Sequence, residues 1–175
     1  MAETRIVSII GRKRSGKTTL AVALAAEFVR KGRRVMTIKH SALPVEMDRP
    51  GSDSYLAFHD GKAERTLVIA PGVRVLFERH ADDTDPVTLA RRYFDGADIV
   101  LVEGFRLAAI PKIEVFRREV SPTPIFDPAL PSAGEWIAIV TDDDRFEASA
   151  PVLRFRDTMW LHLLASMAWD KARVI

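Results

Sequence analysis

The sequence predicts a three-layer α/β/α fold with a mainly parallel sheet and an antiparallel edge hairpin, as a single domain over residues 1–175. Three observations carry this. First, an apolar run from Arg5 to Ile10 passes through a glycine-bounded loop into an amphipathic helix and then into a second run, Val35 to Lys39. Strand–loop–helix–strand is the unit from which parallel sheets are built. Second, near-continuous apolar runs recur at Ile99 to Glu103 and Trp136 to Thr141, as in strands buried on both faces. Third, two β-rich runs, Arg65 to Ala70 and Val73 to Arg79, flank Pro71-Gly72. That turn dipeptide suggests a hairpin at the sheet edge.

The remaining elements follow in order. Lys17 to Lys31 places Leu20, Leu24 and Phe28 at four-residue spacing, a helix that Gly32 stops. A loop with Pro44 and Pro50 leads to a short helix over Asp53 to Asp60. Pro86 suits the first turn of a helix reaching Phe94. Lys112 to Arg117 alternates as a strand, and four prolines make Ser121 to Gly134 a loop. Val152 to Phe155 reads as a last strand. Asp157 is then expected to cap a helix with Trp160, Leu163, Leu164 and Met167 on one face.

Composition narrows the functions. The chain is 47% hydrophobic and 29% charged, with no apolar run long enough to span a bilayer. The absence of cysteine excludes disulfides and thiolate metal sites and suits a cytoplasmic setting. A net charge of +2 makes no case for nucleic acid. The basic clusters Arg30-Lys31-Gly32-Arg33-Arg34 and Arg117-Arg118 read as solvated surface.

The chemistry concentrates at Gly11-Arg12-Lys13-Arg14-Ser15-Gly16-Lys17-Thr18, a full Gly-x-x-x-x-Gly-Lys-Ser/Thr pattern between a strand and a helix. Gly11 and Gly16 allow successive N–H groups to face phosphate oxygens, and the helix adds its dipole. Lys17 reaches the β- and γ-phosphates, and Thr18 offers a hydroxyl to Mg²⁺. Lys13 and Arg14 either neutralise phosphate charge or lie solvated. Such a loop needs an acid at a second strand end, and Val100-Leu101-Val102-Glu103-Gly104 supplies it. Gly104 can bring an N–H to the γ-phosphate. Asp48 sits where a switch-type metal ligand would lie. The expected metal set is thus Thr18, Asp48 and Glu103, and the expected catalytic set is Lys17, Asp48 and Glu103. Strand Trp136 to Thr141 ends at the ligand-binding edge, where Asp142 or Asp143 either reads guanine N1–H and its amino group or belongs to a solvated turn.

These residues together resemble the MobB family, the molybdopterin-guanine dinucleotide biosynthesis accessory proteins. Four segments carry the resemblance: the phosphate loop with Thr19-Leu20; Ile38-Lys39-His40 followed by Asp48-Arg49-Pro50-Gly51-Ser52-Asp53-Ser54-Tyr55; Leu101-Val102-Glu103-Gly104-Phe105; and Pro111-Lys112-Ile113-Glu114-Val115-Phe116-Arg117. The resemblance implies a P-loop NTPase that binds GTP with Mg²⁺, hydrolyses it weakly and forms a homodimer. It also implies a supporting role when a separate guanylyltransferase, MobA, joins guanine nucleotide to molybdopterin. The sequence departs from the family pattern where Lys13-Arg14 replaces the usual Ser-Gly, where Ala42, Leu43 and Pro44 stand in a stretch that often carries histidines, and at Ser52, commonly lysine.

Several readings stay open. His40 is either a hydrogen-bonded structural residue or a functional one. Lys39 and Lys112 either bind a second anion, such as the molybdopterin phosphate, or are ordinary surface lysines. A small-molecule kinase would use the same loop but wants an arginine-rich lid, for which Arg91-Arg92 is the candidate. A metal-delivery GTPase wants Cys/His clusters, and the chain has no cysteine and four scattered histidines. The Asn-Lys-x-Asp guanine-reading motif is absent. With no evident water-positioning glutamine near Gly104, turnover is expected to be slow. Arg12, Lys13 and Arg14 are candidate transition-state charges, and the hairpin around Pro71-Gly72 is a candidate dimer surface.

Overall fold

The computed structural model describes residues 3–41, 44, 48–80 and 85–175. The chain divides into two compact units, residues 1–40 with 85–175, and residues 41–84. Among the described residues no helix is long and apolar enough to cross a membrane.

The larger unit is built on β1 (Arg5–Gly11), β2 (Val35–Lys39), β5 (Ile99–Glu103), β6 (Lys112–Phe116), β7 (Trp136–Thr141) and β8 (Val152–Arg154), all parallel, in the order β2-β5-β1-β6-β7-β8. A short β9 (Arg173–Val174) runs antiparallel to Arg5 and Ile6, where β6 does not reach β1. Period-two alternation under two covered faces explains why the central strands carry apolar residues on both faces, with Ser8, Lys112 and Glu114 as buried polar exceptions. Val7, Ile9, Ile99 and Leu101 face α1 (Lys17–Arg30) and α4 (Trp160–Lys171) through Leu20, Leu24, Phe28, Leu164, Ala165 and Ala168. Ile6, Val100 and Val102 face Val87 and Ala90 of α3 (Pro86–Tyr93). Leu24 and Leu164 are fully buried, which contributes about 1.5–3 kcal/mol each. Asp85 caps α3 by accepting from the Thr88 N–H at 3.0 Å, with Pro86 in the first turn.

Three readings for this unit fail. Asp157 does not cap α4: its carboxylate accepts from the Arg154 N–H at 3.2 Å, and the helix starts from Met159, in left-handed conformation at φ 64°. Leu163 is exposed, so the buried stripe of α4 runs through Leu164, Ala165 and Ala168. Lys112 is no surface lysine. It is buried, donates to the carbonyls of Ala108 at 2.7 Å and Ile110 at 3.1 Å, and pairs with Glu135. Its neighbour on the same face, Glu114, is also buried and accepts from the N–H groups of Ile125 and Phe126 and from Trp136 Nε1. These two charges organise the proline-rich loop, whose Phe126 packs with Phe116, Trp136 and Ile139 over that face of the sheet.

The 41–84 unit begins its regular structure with the short α2 (Asp53–Tyr55), capped by Ser52 Oγ, and continues into a π-turn over Leu56–Asp60. The hairpin forms as read, from β3 (Arg65–Ala70) and β4 (Val73–Glu78), paired from Arg65↔Glu78 to Ala70↔Val73. It is a two-stranded sheet of its own rather than an edge of the parallel sheet.

Candidate functional site

β1 delivers the chain to the carboxyl edge of the sheet at Gly11. Gly11 has φ 153°, and a Cβ there would lie 2.6 Å from the Val115 carbonyl and 2.5 Å from Ser15 Oγ, so only glycine fits. Gly16 has φ 98° and heads α1. Arg14 adopts the left-handed region at φ 67° despite its side chain. Ser15 is buried, and its Oγ finds no hydrogen-bond partner among the described residues. The Lys17 amine folds back to donate to the Arg12 carbonyl at 2.8 Å. Burial lowers its pKa from the ordinary lysine value; nearby Glu103 opposes this and Lys39 adds to it.

The end of β5 closes on the same place. Glu103 Oε1 accepts from the Thr18 hydroxyl at 2.9 Å and lies 3.7 Å from Lys39 Nζ. Gly104 continues at φ 103°, bonded through its N–H to the Ile9 carbonyl at 3.1 Å and through its carbonyl to the Ser8 hydroxyl at 2.6 Å. A Cβ on Gly104 would lie 3.2 Å from the His40 Cβ. The His40 N–H donates to the Glu103 carbonyl at 3.0 Å, and its ring centroid lies 4.7 Å from that of Phe105. The strand ends after Ile10, Lys39 and Glu103 thus converge, as a parallel sheet requires.

β7 joins them through a residue read from sequence as solvated. Arg117, just past β6, is half-buried. Its Nε donates to the Ser15 carbonyl inside the loop at 3.0 Å, and its Nη1 donates to Asp142 at 3.0 Å. Its guanidinium lies 4.8 Å from the Phe155 ring centroid. The acidic run after β7 is no bare solvated turn: Asp142, Asp143 and Asp144 pair with Arg117, Arg118 and Arg156 respectively. The hydrogen bond from Arg118 and that from the Arg145 N–H hold the Asp143 carboxyl below its usual range. The available signal for Arg117 was its position immediately after a strand at the ligand-binding edge. Arg12, Lys13, Thr18 and Thr19 are exposed at the loop surface.

Asp48 belongs to the 41–84 unit. Its Oδ1 accepts from the Ser52 hydroxyl at 2.9 Å and the Arg49 N–H at 2.8 Å. Burial works against its charge, but hydrogen bonding to Ser54, Ser52 and the Arg49 N–H outweighs it and keeps the carboxyl below its usual range. Among the described residues no group of three or more His, Asp or Glu side chains is gathered as a metal site.

A first strand feeding a backbone cradle at the head of a helix, with a second strand-end carboxylate beside the helix's threonine, defines the P-loop class of α/β folds. The family model for molybdopterin guanine dinucleotide synthesis protein B (MobB) matches residues 6–142, and the chain belongs to that family. It is 33% identical over 125 residues to a molybdopterin-guanine dinucleotide biosynthesis adapter protein of Haemophilus influenzae, covering 70% of this chain and 69% of that one. Against the Escherichia coli adapter protein it is 33% identical over 107 residues, covering 59% and 60%. The fold resembles a crystal structure of a MobB homologue from Bacillus stearothermophilus (TM-score 0.67, 24% identity, 94% of this chain and 98% of that one) and a structure of Bacillus subtilis MobB (TM-score 0.66, 26% identity, 93% and 97%).

Proposed function

We propose that this protein binds GTP with Mg²⁺ at the phosphate loop and acts as an adapter in molybdopterin guanine dinucleotide biosynthesis, alongside the guanylyltransferase that joins the two halves. Its family and the names of its curated relatives support the pathway. One observation carries the nucleotide reading: the Thr18 hydroxyl and a Glu103 carboxylate oxygen stand 2.9 Å apart beside Lys17. Two oxygens so close, one anionic, suit a small hard cation. The left-handed Gly11 and Gly16 and the orphaned Ser15 hydroxyl suit phosphate oxygens. Lys17 exchanges the Arg12 carbonyl for a phosphate, and Thr18 and Glu103 hold the ion directly or through water. Mg²⁺, when bound, neutralises charge between the β- and γ-phosphates.

Slow hydrolysis follows from Gly104 being succeeded by Phe105, with no glutamine to orient water. A homodimer through the hairpin is supported by the exposure of Leu67 (57%) and Ile69 (69%) on one face of it. The test is calorimetric titration with GTP and ATP, with and without Mg²⁺, on wild-type protein and Lys17→Ala. GTP binding that strengthens with Mg²⁺ and falls at least 100-fold in folded Lys17→Ala is expected, since a buried phosphate loses a charge-assisted partner worth several kcal/mol. Unchanged GTP affinity in the variant would falsify the reading.

A further inference from the structure

We propose that Arg117 is a positioning residue for the phosphate loop, tethered by Asp142, so that the loop after β7 sets the shape of the phosphate cradle. The inference rests on the nucleotide reading above and deepens it. Arg117 Nε holds the Ser15 carbonyl at 3.0 Å. The Ser15–Gly16 peptide is trans, since no described peptide bond is cis. In a planar trans peptide, the C=O of one residue and the N–H of the next point opposite ways. Fixing the Ser15 carbonyl on the guanidinium therefore turns the Gly16 N–H away from it. Gly16, at φ 98°, has little steric preference of its own to hold that orientation. A donor fixed before the anion arrives needs no reorganisation on binding.

Three contacts keep the guanidinium in place. Nη1 donates to Asp142 at 3.0 Å, the Phe155 ring lies 4.8 Å away, and the Glu119 carboxylate stands 4.0 Å from Nη1. A Cβ built on Gly16 would lie 3.7 Å from Nε and Nη2, so the guanidinium lies alongside Gly16 in ordinary contact range. A planar fork that bonds the Ser15 carbonyl with one edge and a carboxylate with another is a task lysine performs poorly. Asp142, at an exposed position, serves here as an anchor rather than as a reader of the base.

The test is triphosphate and monophosphate titration of wild type, Lys17→Ala, Arg117→Ala, Arg117→Lys and Asp142→Asn. The Gly16 amide resonance is followed by NMR, and melting temperature controls for folding. In Arg117→Ala, GTP affinity is expected to fall about tenfold, GMP affinity less, and the Gly16 amide shift on GTP binding to shrink. Arg117→Lys should recover only part. Asp142→Asn, an exposed change the fold tolerates, should give a several-fold loss with an unaltered GTP/ATP ratio. If wild type binds no triphosphate, the nucleotide reading falls, and this one with it. If Lys17→Ala abolishes binding while Arg117→Ala and Asp142→Asn keep full affinity and the full Gly16 shift, this inference alone is overturned. A changed GTP/ATP ratio in Asp142→Asn would also overturn it, by making Asp142 a base reader.

Discussion

The two compact units differ in how they are held. In residues 1–40 and 85–175 the apolar side chains close on both faces of a sheet, and Ile6, Val7, Ile9, Leu24, Val100, Ile113 and Leu164 are all but sealed from solvent. In residues 41–84 no described residue is buried. That unit relies on local devices: the Ser52 cap, the Asp48 hydrogen bonds, Arg79 donating to the Phe58 and Ala63 carbonyls, and the Phe58–Phe77 ring contact. A two-stranded ribbon held this way is marginal alone. Sealed core and exposed apolar side chains thus fall in different stretches of one chain.

The largest test of that contrast is a pair of truncations. Leu164→Ala should cost about 2–5 kcal/mol, the range for emptying a sealed core site, whereas Leu67→Ala should change stability by less than about 0.5 kcal/mol in dilute protein. Urea unfolding followed by circular dichroism gives both numbers, and equal losses would break the comparison. Next in size, placing charge on the exposed hairpin face with Leu67→Asp and Ile69→Asp should weaken self-association at least tenfold and leave the melting temperature of the monomer in place. Light scattering over a dilution series measures this; a dimer indifferent to both changes would remove the hairpin from the interface.

A smaller effect lies inside the well-packed unit. Arg14 holds φ 67°, a conformation that costs a side-chain-bearing residue about 1 kcal/mol. Arg14→Gly should recover a good part of that in melting temperature, less what glycine adds to unfolded-chain entropy. A lower melting temperature would show that the arginine side chain outweighs its backbone strain.

The smallest effect concerns Glu27 on α1. The hydrogen bond from Arg30, against some burial cost and with help from His162 and Lys31, lowers its pKa from 4.5 to about 2. A carboxylate depressed by folding stabilises above its unfolded pKa and loses that contribution as pH falls through its folded one. Glu27→Gln should therefore melt slightly below wild type near pH 6, and the two should converge near pH 2. A gap that persists at pH 2 would mean the side chain acts through packing rather than charge.

Much of the larger unit was legible because its signals were local and periodic. Ile99 to Glu103 and Trp136 to Thr141 are strands with the limits read from sequence, as buried parallel strands announce themselves by unbroken apolar runs. The phosphate loop and Glu103 were legible because glycine, lysine and a strand-end carboxylate have a mechanism at that spacing. What stayed hidden were charges whose partners lie far along the chain. Lys112 looked like any alternating-strand lysine until Glu135 and two carbonyls surrounded it. Arg117 looked solvated because its partners, Ser15 and Asp142, lie 102 and 25 residues away. The start of α4 was misplaced because Asp157 has a nearer donor in Arg154.

The buried charges of β6 amount to a registration key. Lys112 and Glu114 point to the same face two residues apart, one seated among carbonyl oxygens and a carboxylate, the other among three N–H donors. Sliding the strand by one residue would turn both charges into the opposite, wholly apolar layer. Sliding it by two would seat an ammonium where only donors wait, or a carboxylate among carbonyl oxygens. An all-apolar strand would tolerate such slips at modest cost, whereas this one has a single admissible alignment. Because Val115 of the same strand abuts Gly11, that alignment also sets where the floor of the phosphate loop can lie.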